Sequence, residues 1–153
     1  MDANPSPTAT QAPRRGTKVR IGQLDLTFLV DETTAPGNMV MFEFVTPPNA
    51  KVPAPHYHEA VDEVVYGLSG VLDVTVDGVA HKLGAGEVVF VPRGAVHHHA
   101  NTGTEDARTL VVLTPASIGR RYFEEMAEVI NVAGPPDLAK AKAVMLKHGL
   151  IPA

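Results

Sequence analysis

The residues with the clearest chemical potential are two histidines, His56 and His58, separated by a single residue. On a β-strand, residues i and i+2 project from the same face and lie about 6 to 7 Å apart, so both imidazoles can bind one ion. Glu63 follows beyond a short turn and can add a carboxylate oxygen, and His97 lies far along the chain on another predicted strand. Three imidazoles and one carboxylate suit a divalent first-row metal. The spacing therefore predicts a metal site, while ordinary surface or core positions for these histidines stay open as the alternative.

The segments that must position these residues are β-rich. From Thr17 to about Thr114, short apolar runs alternate with Gly and Pro, and Asp77-Gly78 is typical of a two-residue hairpin turn. Many short strands at this spacing indicate a β-sandwich or a β-barrel. The expected strands cover residues 19–30, 39–45, 61–68, 71–76, 79–83, 87–91, 96–100 and 107–113.

The C-terminal part of the chain has a different periodicity. Apolar residues over 118–130 recur at helical spacing, with Ser117 as the expected N-cap. A second helix is expected to begin at Pro135-Pro136 and to end before Gly149. The N-terminal segment is rich in Pro, Ala, Thr and Ser, which predicts a flexible tail. These boundaries divide the chain into a tail over residues 1–15, a β-barrel over 16–115 and a helical extension over 116–153.

Two separated segments resemble the two conserved motifs of the cupin superfamily, within a stretch that covers about residues 47–115. One position departs from the family, because Ala50 stands where Gly usually precedes the first His; the adjacent Asn49 tolerates left-handed backbone and could shift the turn by one residue. The segment over 122–126, together with the paired helices, is similar to small bacterial single-domain cupins (cupin 2 conserved barrel) that are called quercetin-dioxygenase-like. The positions that match the two motifs are His56, His58, Glu63, Gly70, Gly86, Pro92, Gly94, His97 and Asn101.

This resemblance implies an all-β fold: a single-domain cupin jelly-roll β-barrel with two C-terminal α-helices. It also implies one divalent transition metal ion, which in this family is usually Fe, Mn, Ni, Zn or Cu, near one end of the barrel interior. Four protein ligands leave up to two positions open on a six-coordinate ion, as a catalytic site requires. By motif position, the metal ligands would be His56, His58, Glu63 and His97.

The first functional hypothesis is a metal-dependent dioxygenase, or another oxidoreductase, that acts on a small organic substrate, with Glu63 or His99 handling a proton. Strand alternation places His99 on the same face as His97, where it can act as an acid or base, contact substrate or only fill space. Replacement of His97 by His99 as the ligand also stays open. Glu43 interrupts an apolar strand and is interpreted as an outward-facing polar residue rather than a pocket carboxylate. The alternative functions are a metal-dependent isomerase or lyase and a non-enzymatic cupin that binds a small ligand.

Composition limits the partners of this chain. A net charge of -4 without a cluster of Lys or Arg argues against nucleic acid and anionic membranes, and the lack of cysteine excludes Cys-based metal sites. No apolar run approaches the ~20 residues of a membrane helix, and the N-terminus has no secretory signal pattern, so a cytoplasmic location is the default expectation. We also expect a homodimer, because exposed strand edges need cover, which residues 19–30 or the C-terminal helices of a partner could supply.

Overall fold

In the computed structural model, which describes residues 12–50 and 52–153, two antiparallel β-sheets face each other and enclose the core. Both sheets combine strands that are distant in sequence, and two helices follow the barrel. The all-β fold with two C-terminal helices is thereby confirmed. The strands are β1 (Thr17–Ile21), β2 (Leu24–Val30), β3 (Val40–Thr46), β4 (His56–His58), β5 (Asp62–Ser69), β6 (Leu72–Val76), β7 (Val79–Leu83), β8 (Val88–Val91), β9 (His97–Ala100), β10 (Ala107–Thr114) and β11 (Leu150–Pro152).

The six-stranded sheet has the order β1-β2-β3-β10-β5-β8, and the five-stranded sheet has the order β11-β4-β9-β6-β7. Strands β1 and β2 pair with each other, and β2 pairs with β3 of the same chain. Most of the predicted tail over 1–15 lies outside the described residues, and the first strand begins at Thr17.

The core lies between the two sheets, because alternate residues of each strand turn inward. In β3, for example, every second residue is buried, from Val40 to Thr46. Phe28, Phe42 and Phe123 form an aromatic cluster with ring centroids 5.1 to 5.2 Å apart. Phe123 belongs to the first helix, so this cluster fixes the helix against the six-stranded sheet.

The helices begin later than the sequence predicts. Helix α1 (Arg120–Ile130) has Gly119 at its N-cap, which has no side chain to accept a hydrogen bond, so Ser117 is not the cap. Helix α2 (Leu138–Lys147) begins after Asp137, whose carboxylate accepts hydrogen bonds from two backbone N–H groups of the first turn. The prolines expected at the start of α2 therefore precede the helix. Gly149 follows its end with a φ of 79°, as the pattern predicts.

The last strand, β11, has no counterpart among the expected strands. It pairs along its whole length with β4, in the register Leu150 to His58 and Pro152 to His56. On its other side, β4 pairs with β9 only at His56 and His97. The C-terminal strand is therefore the main hydrogen-bonding partner of the strand that carries the His-x-His pair.

Two turns at the end of the barrel use left-handed backbone. Asn49 has a φ of 54°, which confirms that it makes the turn where the cupin motif usually has Gly. Gly70 has a φ of 68°, and a Cβ there would lie 2.2 Å from the backbone oxygen of Asp106. Both the conformation and the close approach therefore require glycine at position 70.

Candidate metal centre

The structure brings the four predicted ligands together inside the barrel. His56 and His58 lie on β4 and His97 lies on the adjacent β9, and their ligand nitrogen atoms all lie within 4.8 Å of one another. Glu63 approaches from β5 of the opposite sheet, with its Oε2 atom 3.3 Å from His97 Nε2 and 3.8 Å from His58 Nε2. The three imidazoles thus form one cluster, and the carboxylate of Glu63 adjoins it from the opposite sheet.

Backbone carbonyl groups orient two of the three imidazoles. His56 Nδ1 lies 2.8 Å from the carbonyl oxygen of Ala54, and His97 Nδ1 lies 3.0 Å from that of Ala95. A carbonyl oxygen can only accept a hydrogen bond, so each Nδ1 is the protonated nitrogen. The Nε2 atoms are the ones that face the centre, where they can bind a metal. Such outer hydrogen bonds are typical of metal-ligating histidines.

The electrostatics of the site favour the ionisation states that bind a cation at His56, His58 and Glu63, but favour the protonated form of His97. Burial lowers the pKa of His56, and it lowers that of His58 to about 4, so both imidazoles are neutral. Burial alone would raise the pKa of Glu63, but the hydrogen bond from His97 and the nearby imidazoles outweigh it and lower this pKa to about 2. Burial also lowers the pKa of His97, but the hydrogen bond and charge of Glu63 outweigh it and raise the pKa overall. A bound cation would take the place of that shared proton, because metal and proton compete for the same nitrogen.

The donor set and its surroundings fit a divalent transition metal. Neutral imidazole and carboxylate are suitable ligands for such ions, and His58, Glu63 and His97 are all buried. Among the described residues, the group that could hold an ion consists of His56, His58 and His97, with neither Glu63 nor His99 in it. The structure therefore favours His97 as the ligand from the histidine run.

His99 lies beside the four donors and points into the same space. Its Nε2 atom is buried, has no hydrogen-bond partner within residues 12–50 and 52–153, and lies 3.7 Å from Glu63 Oε1. Its ring lies against Phe44, with centroids 6.5 Å apart, and burial lowers its pKa to about 4. An unpaired buried polar atom costs about 1 to 3 kcal/mol, so a hydrogen-bond partner for this nitrogen would stabilise the site.

A cavity of about 80 Å³ opens over the candidate metal centre. Its floor is formed by the four donors and His99, and its walls are apolar. Helix α1 and the residues just before it close one side of the cavity. The apolar wall consists of Leu26, Phe42, Phe44, Pro53, Val111, Leu113, Ile118, Tyr122, Phe123 and Leu150.

Helix α1 is held in this position by two acidic residues that follow β2. The carboxylate of Glu32 accepts hydrogen bonds from the backbone N–H groups of Arg120 and Arg121, at 2.8 and 3.2 Å. Asp31 accepts a hydrogen bond from the Arg120 guanidinium at 2.7 Å. Burial alone would raise the pKa of Asp31, but hydrogen bonds from Thr33 and the charge of Arg120 outweigh it and lower this pKa below 3.8. The first turn of α1 is thus capped by a distant segment of the chain.

A second contact positions the strand that carries His97. At the predicted hairpin turn between β6 and β7, the backbone N–H of Asp77 donates to the carbonyl oxygen of Val96 at 2.7 Å. The N–H of Val96 donates in return to Asp77 Oδ1 at 2.9 Å. Because Val96 directly precedes His97, this pair of bonds fixes the start of β9.

Other charged residues lie away from the candidate metal centre. Glu43 is half-buried and forms an ion pair with Arg108, which confirms that it is not a pocket carboxylate. A larger cleft of about 440 Å³ lies between α1 and α2, but it is open and none of its lining residues is a histidine.

The pocket wall supplied by α1 and β11 is the part of the site that the sequence did not predict. The helical periodicity of Ile118, Tyr122 and Phe123 was the available signal, although it did not indicate what these residues face.

The part of the barrel that carries the candidate ligands also matches a known protein family. Residues 42–113 match the family model described as a cupin domain, and this stretch contains all four candidate ligands. The barrel is a cupin domain. Among the residues that the structure describes, neither helix of this cupin is long and apolar enough to cross a membrane.

The proteins to which this cupin is similar have several different descriptions. Protein SchB of Streptomyces halstedii is 37% identical over 60 residues, which cover 39% of this chain and 44% of SchB. This chain therefore spans less than half the length of that curated relative. The polyketide cyclase RemF from Streptomyces resistomycificus has a structure with a TM-score of 0.58 and 27% identity, covering 68% of this chain and 78% of RemF. A protein from Thermotoga maritima, described as a predicted oxalate decarboxylase, has a structure with a TM-score of 0.59 and 25% identity. The match covers 64% of this chain and 91% of that protein.

Proposed function

We propose that this cupin is a metal-dependent dioxygenase that acts on a small, largely apolar organic substrate. The observation that carries the proposal is the unpaired Nε2 atom of His99, at the floor of an apolar cavity beside four convergent metal-ligand side chains. A closed structural metal site needs neither a cavity nor a free acid–base group beside its ligands. The arrangement is therefore better suited to catalysis.

The size and lining of the cavity define the substrate class. A volume of about 80 Å³ is well below the roughly 300 Å³ at which pockets for drug-sized ligands begin. The apolar walls offer few partners for a polyhydroxylated or highly charged molecule, whose polar groups would lose their hydration. A compact molecule with an apolar body and a carbonyl, enol or phenol oxygen directed at the floor fits best.

Each group of residues in the site would have a separate role in the reaction. His56, His58, Glu63 and His97 would hold the ion, and a redox-active divalent metal would supply Lewis-acid and electron-transfer chemistry at the floor. Phe44, Phe123 and their apolar neighbours exclude water and orient the body of the substrate. His99 Nε2, neutral because burial lowers its pKa to about 4, would accept a proton from the substrate oxygen and return it to the product.

One alternative has a specific observation in its favour. RemF, with which this chain shares the fold and 27% identity, is a polyketide cyclase. A non-redox metal-dependent isomerase, lyase or cyclase would use the same donors and the same base to move a proton without consuming oxygen. A cupin that only binds a ligand would leave that ligand unchanged.

The deciding experiment compares metals and oxygen on the intact chain. The protein is loaded separately with Fe²⁺, Mn²⁺ and Zn²⁺ and supplied with small β-diketones and catechols in an oxygen electrode. We expect oxygen uptake in step with substrate loss for the Fe²⁺ or Mn²⁺ form and none for the Zn²⁺ form. Turnover that continues without oxygen would contradict dioxygenase activity and support the isomerase or lyase alternative.

The role of His99 is tested with a matched pair of variants. His99→Gln should lower kcat by about 100-fold or more while metal content stays unchanged. His98→Gln, which alters the neighbouring residue on the opposite face of β9, should leave both kcat and metal content as in the wild type. Equal activity of the two variants would show that His99 only fills space.

A further inference from the structure

Among the described residues, the wall of the cavity above the candidate metal centre contains one polar side chain. Nine of its ten side chains consist of hydrocarbon only, and the tenth is Tyr122 of helix α1, which carries a phenol hydroxyl. The polar groups of the floor are the four donors and His99. Tyr122 lies outside residues 42–113, which match the cupin family model, so the family match does not assign a role to it.

The hydroxyl of Tyr122 is a hydrogen-bond donor without an acceptor in the part of the chain that the structure describes, residues 12–50 and 52–153. Tyr122 is only 3% exposed, and burial alone raises its pKa. The phenol therefore keeps its proton at neutral pH. A buried tyrosine hydroxyl usually has a hydrogen-bond partner, and a molecule in the cavity can be that partner.

The ring of Tyr122 is held in place by aromatic neighbours. Its plane lies at 73° to the ring of Phe123, with centroids 4.8 Å apart, and at 64° to that of His148, with centroids 5.6 Å apart. His148 Nε2 in turn lies 3.0 Å from Glu125 Oε2. A donor that is fixed in this way before a ligand arrives costs little conformational entropy when the ligand binds.

We propose that the Tyr122 hydroxyl donates a hydrogen bond to a second oxygen atom of the substrate. The first oxygen is the one directed at the floor, so this inference rests on the proposed function. The second oxygen has to be an acceptor, such as a carbonyl oxygen, because the phenol proton has no acceptor among the described residues. The substrate class is thereby narrowed to compact dicarbonyl or hydroxycarbonyl compounds whose two oxygens point in different directions.

The Tyr122 hydroxyl would determine which molecules the site selects. A carbonyl oxygen placed against a hydrocarbon wall loses its hydration, and this loss is unfavourable unless a donor replaces the water. Tyr122 is the wall residue that can supply this donor. A ligand with the same carbon ring and only one oxygen leaves the hydroxyl unused. Sites that are built to hydrogen-bond a group of the substrate discriminate against analogues that lack this group.

The test measures ligand binding to the full chain loaded with Zn²⁺, under nitrogen, so that no turnover is required. The probes are cyclohexane-1,3-dione and cyclohexane-1,4-dione, whose rings prevent both oxygens from binding one ion, and cyclohexanone, which has the same ring and a single oxygen. The wild type should bind at least one dione more tightly than cyclohexanone. Tyr122→Phe should raise the Kd of that dione roughly 5-fold or more and change the Kd of cyclohexanone less than about 2-fold.

Tyr66→Phe is the matched control. It removes the same hydroxyl from a residue of β5 that is 40% exposed and does not line the cavity. Its affinity for all three probes should equal that of the wild type. A wild type that binds neither dione more tightly than cyclohexanone, or a Tyr122→Phe variant that binds the diones as tightly as Tyr66→Phe, would overturn the proposal.

A second measurement separates contact with the ligand from a structural role of Tyr122. The chain contains three tyrosines, so labelling of tyrosine Cζ with ¹³C gives three NMR signals, and the signal missing from Tyr122→Phe belongs to Tyr122. This signal should move further with the dione than with cyclohexanone, because Cζ carries the hydroxyl. A signal that moves equally with both probes, together with a Tyr122→Phe variant that unfolds at lower urea concentration, would show a structural role and overturn the proposal.

Failure of the dioxygenase proposal gives a different result. If no metal supports oxygen uptake but Tyr122→Phe selectively weakens dione binding, dioxygenase activity is wrong and the contact with Tyr122 stands. If oxygen uptake is found but Tyr122→Phe keeps the wild-type preference for the dione, only the inference about Tyr122 is wrong.

Discussion

Glu32 should stabilise helix α1, and with it one wall of the cavity above the candidate metal centre. Its carboxylate is the acceptor for two backbone N–H groups of a helix whose N-cap, Gly119, offers no side chain. Glu32→Ala leaves both N–H groups without that acceptor and removes a negative charge from the positive end of the helix dipole. Glu32→Gln keeps one oxygen acceptor and removes only the charge.

The expected cost follows from these two contributions. Loss of an N-capping side chain costs about 1 kcal/mol, and loss of a favourable charge at a helix N-terminus costs about 0.3 to 1 kcal/mol. We therefore expect Glu32→Ala to lower the free energy of unfolding by about 1.3 to 2 kcal/mol, and Glu32→Gln, which loses only the charge, to lower it by about 0.3 to 1 kcal/mol. Glu124→Ala is the matched control, because Glu124 contacts the same Arg120 through an exposed pair on the helix, which contributes only about 0.5 kcal/mol.

Urea unfolding gives the stability, and hydrogen exchange of the first-turn amides of α1 locates the effect. Gly119→Ala provides a second route to the same contact, since a Cβ there would lie 2.7 Å from Glu32 Oε2 and displace the carboxylate. The loss of unfolding free energy caused by Gly119→Ala should disappear when Glu32 has already been replaced by Ala. If Glu32→Ala and Glu124→Ala were equally stable, or if protection of the α1 amides were unchanged, the capping role would be refuted.

Three further predictions concern the metal centre, the core and pH. His97→Ala should lose the metal measured by elemental analysis while His98→Ala retains it; equal metal content would argue against the ligand set. Phe28→Ala, at a fully buried position, should lower unfolding free energy by about 3 to 5 kcal/mol, and a loss below 1 kcal/mol in urea would be inconsistent with the packing described. Because the pKa of Asp31 is lowered in the folded state, its contribution to stability is present above its unfolded pKa and is lost as pH falls below about 4. Asp31→Asn should therefore show a shallower loss of stability than the wild type between pH 4 and 2, and parallel curves would contradict this linkage.

The sequence predicts the barrel strands because their pattern is local. The hairpin at Asp77-Gly78 joins strands that end at Val76 and begin at Val79, as expected from the turn residues. The ligand group could be predicted for the same reason: strand alternation places His56 and His58 on one face, and motif spacing selects His97. Asn49 shows that even the departure from the family motif had a local explanation, since its own backbone makes the turn.

The features that the sequence did not predict depend on contacts between distant segments. The cap of α1 comes from Glu32, about ninety residues earlier in the chain, so Ser117 was the reasonable local choice and was wrong. β11 spans only three residues, too short for a period-2 pattern to be recognised. The apolar residues of α1 recur at helical spacing, but this periodicity does not distinguish a core contact from a pocket wall.

The pairing of β11 with β4 would link the exchange of a metal ion held by the candidate ligands to motion of the last strand. Strand β4 carries two imidazoles and is held by three residue pairs from β11 but by one from β9. If the segment after α2 opens transiently, both imidazoles can move away from Glu63 and His97 together. The rate at which an ion leaves would then report the frequency of that local opening rather than the strength of any single metal–nitrogen bond.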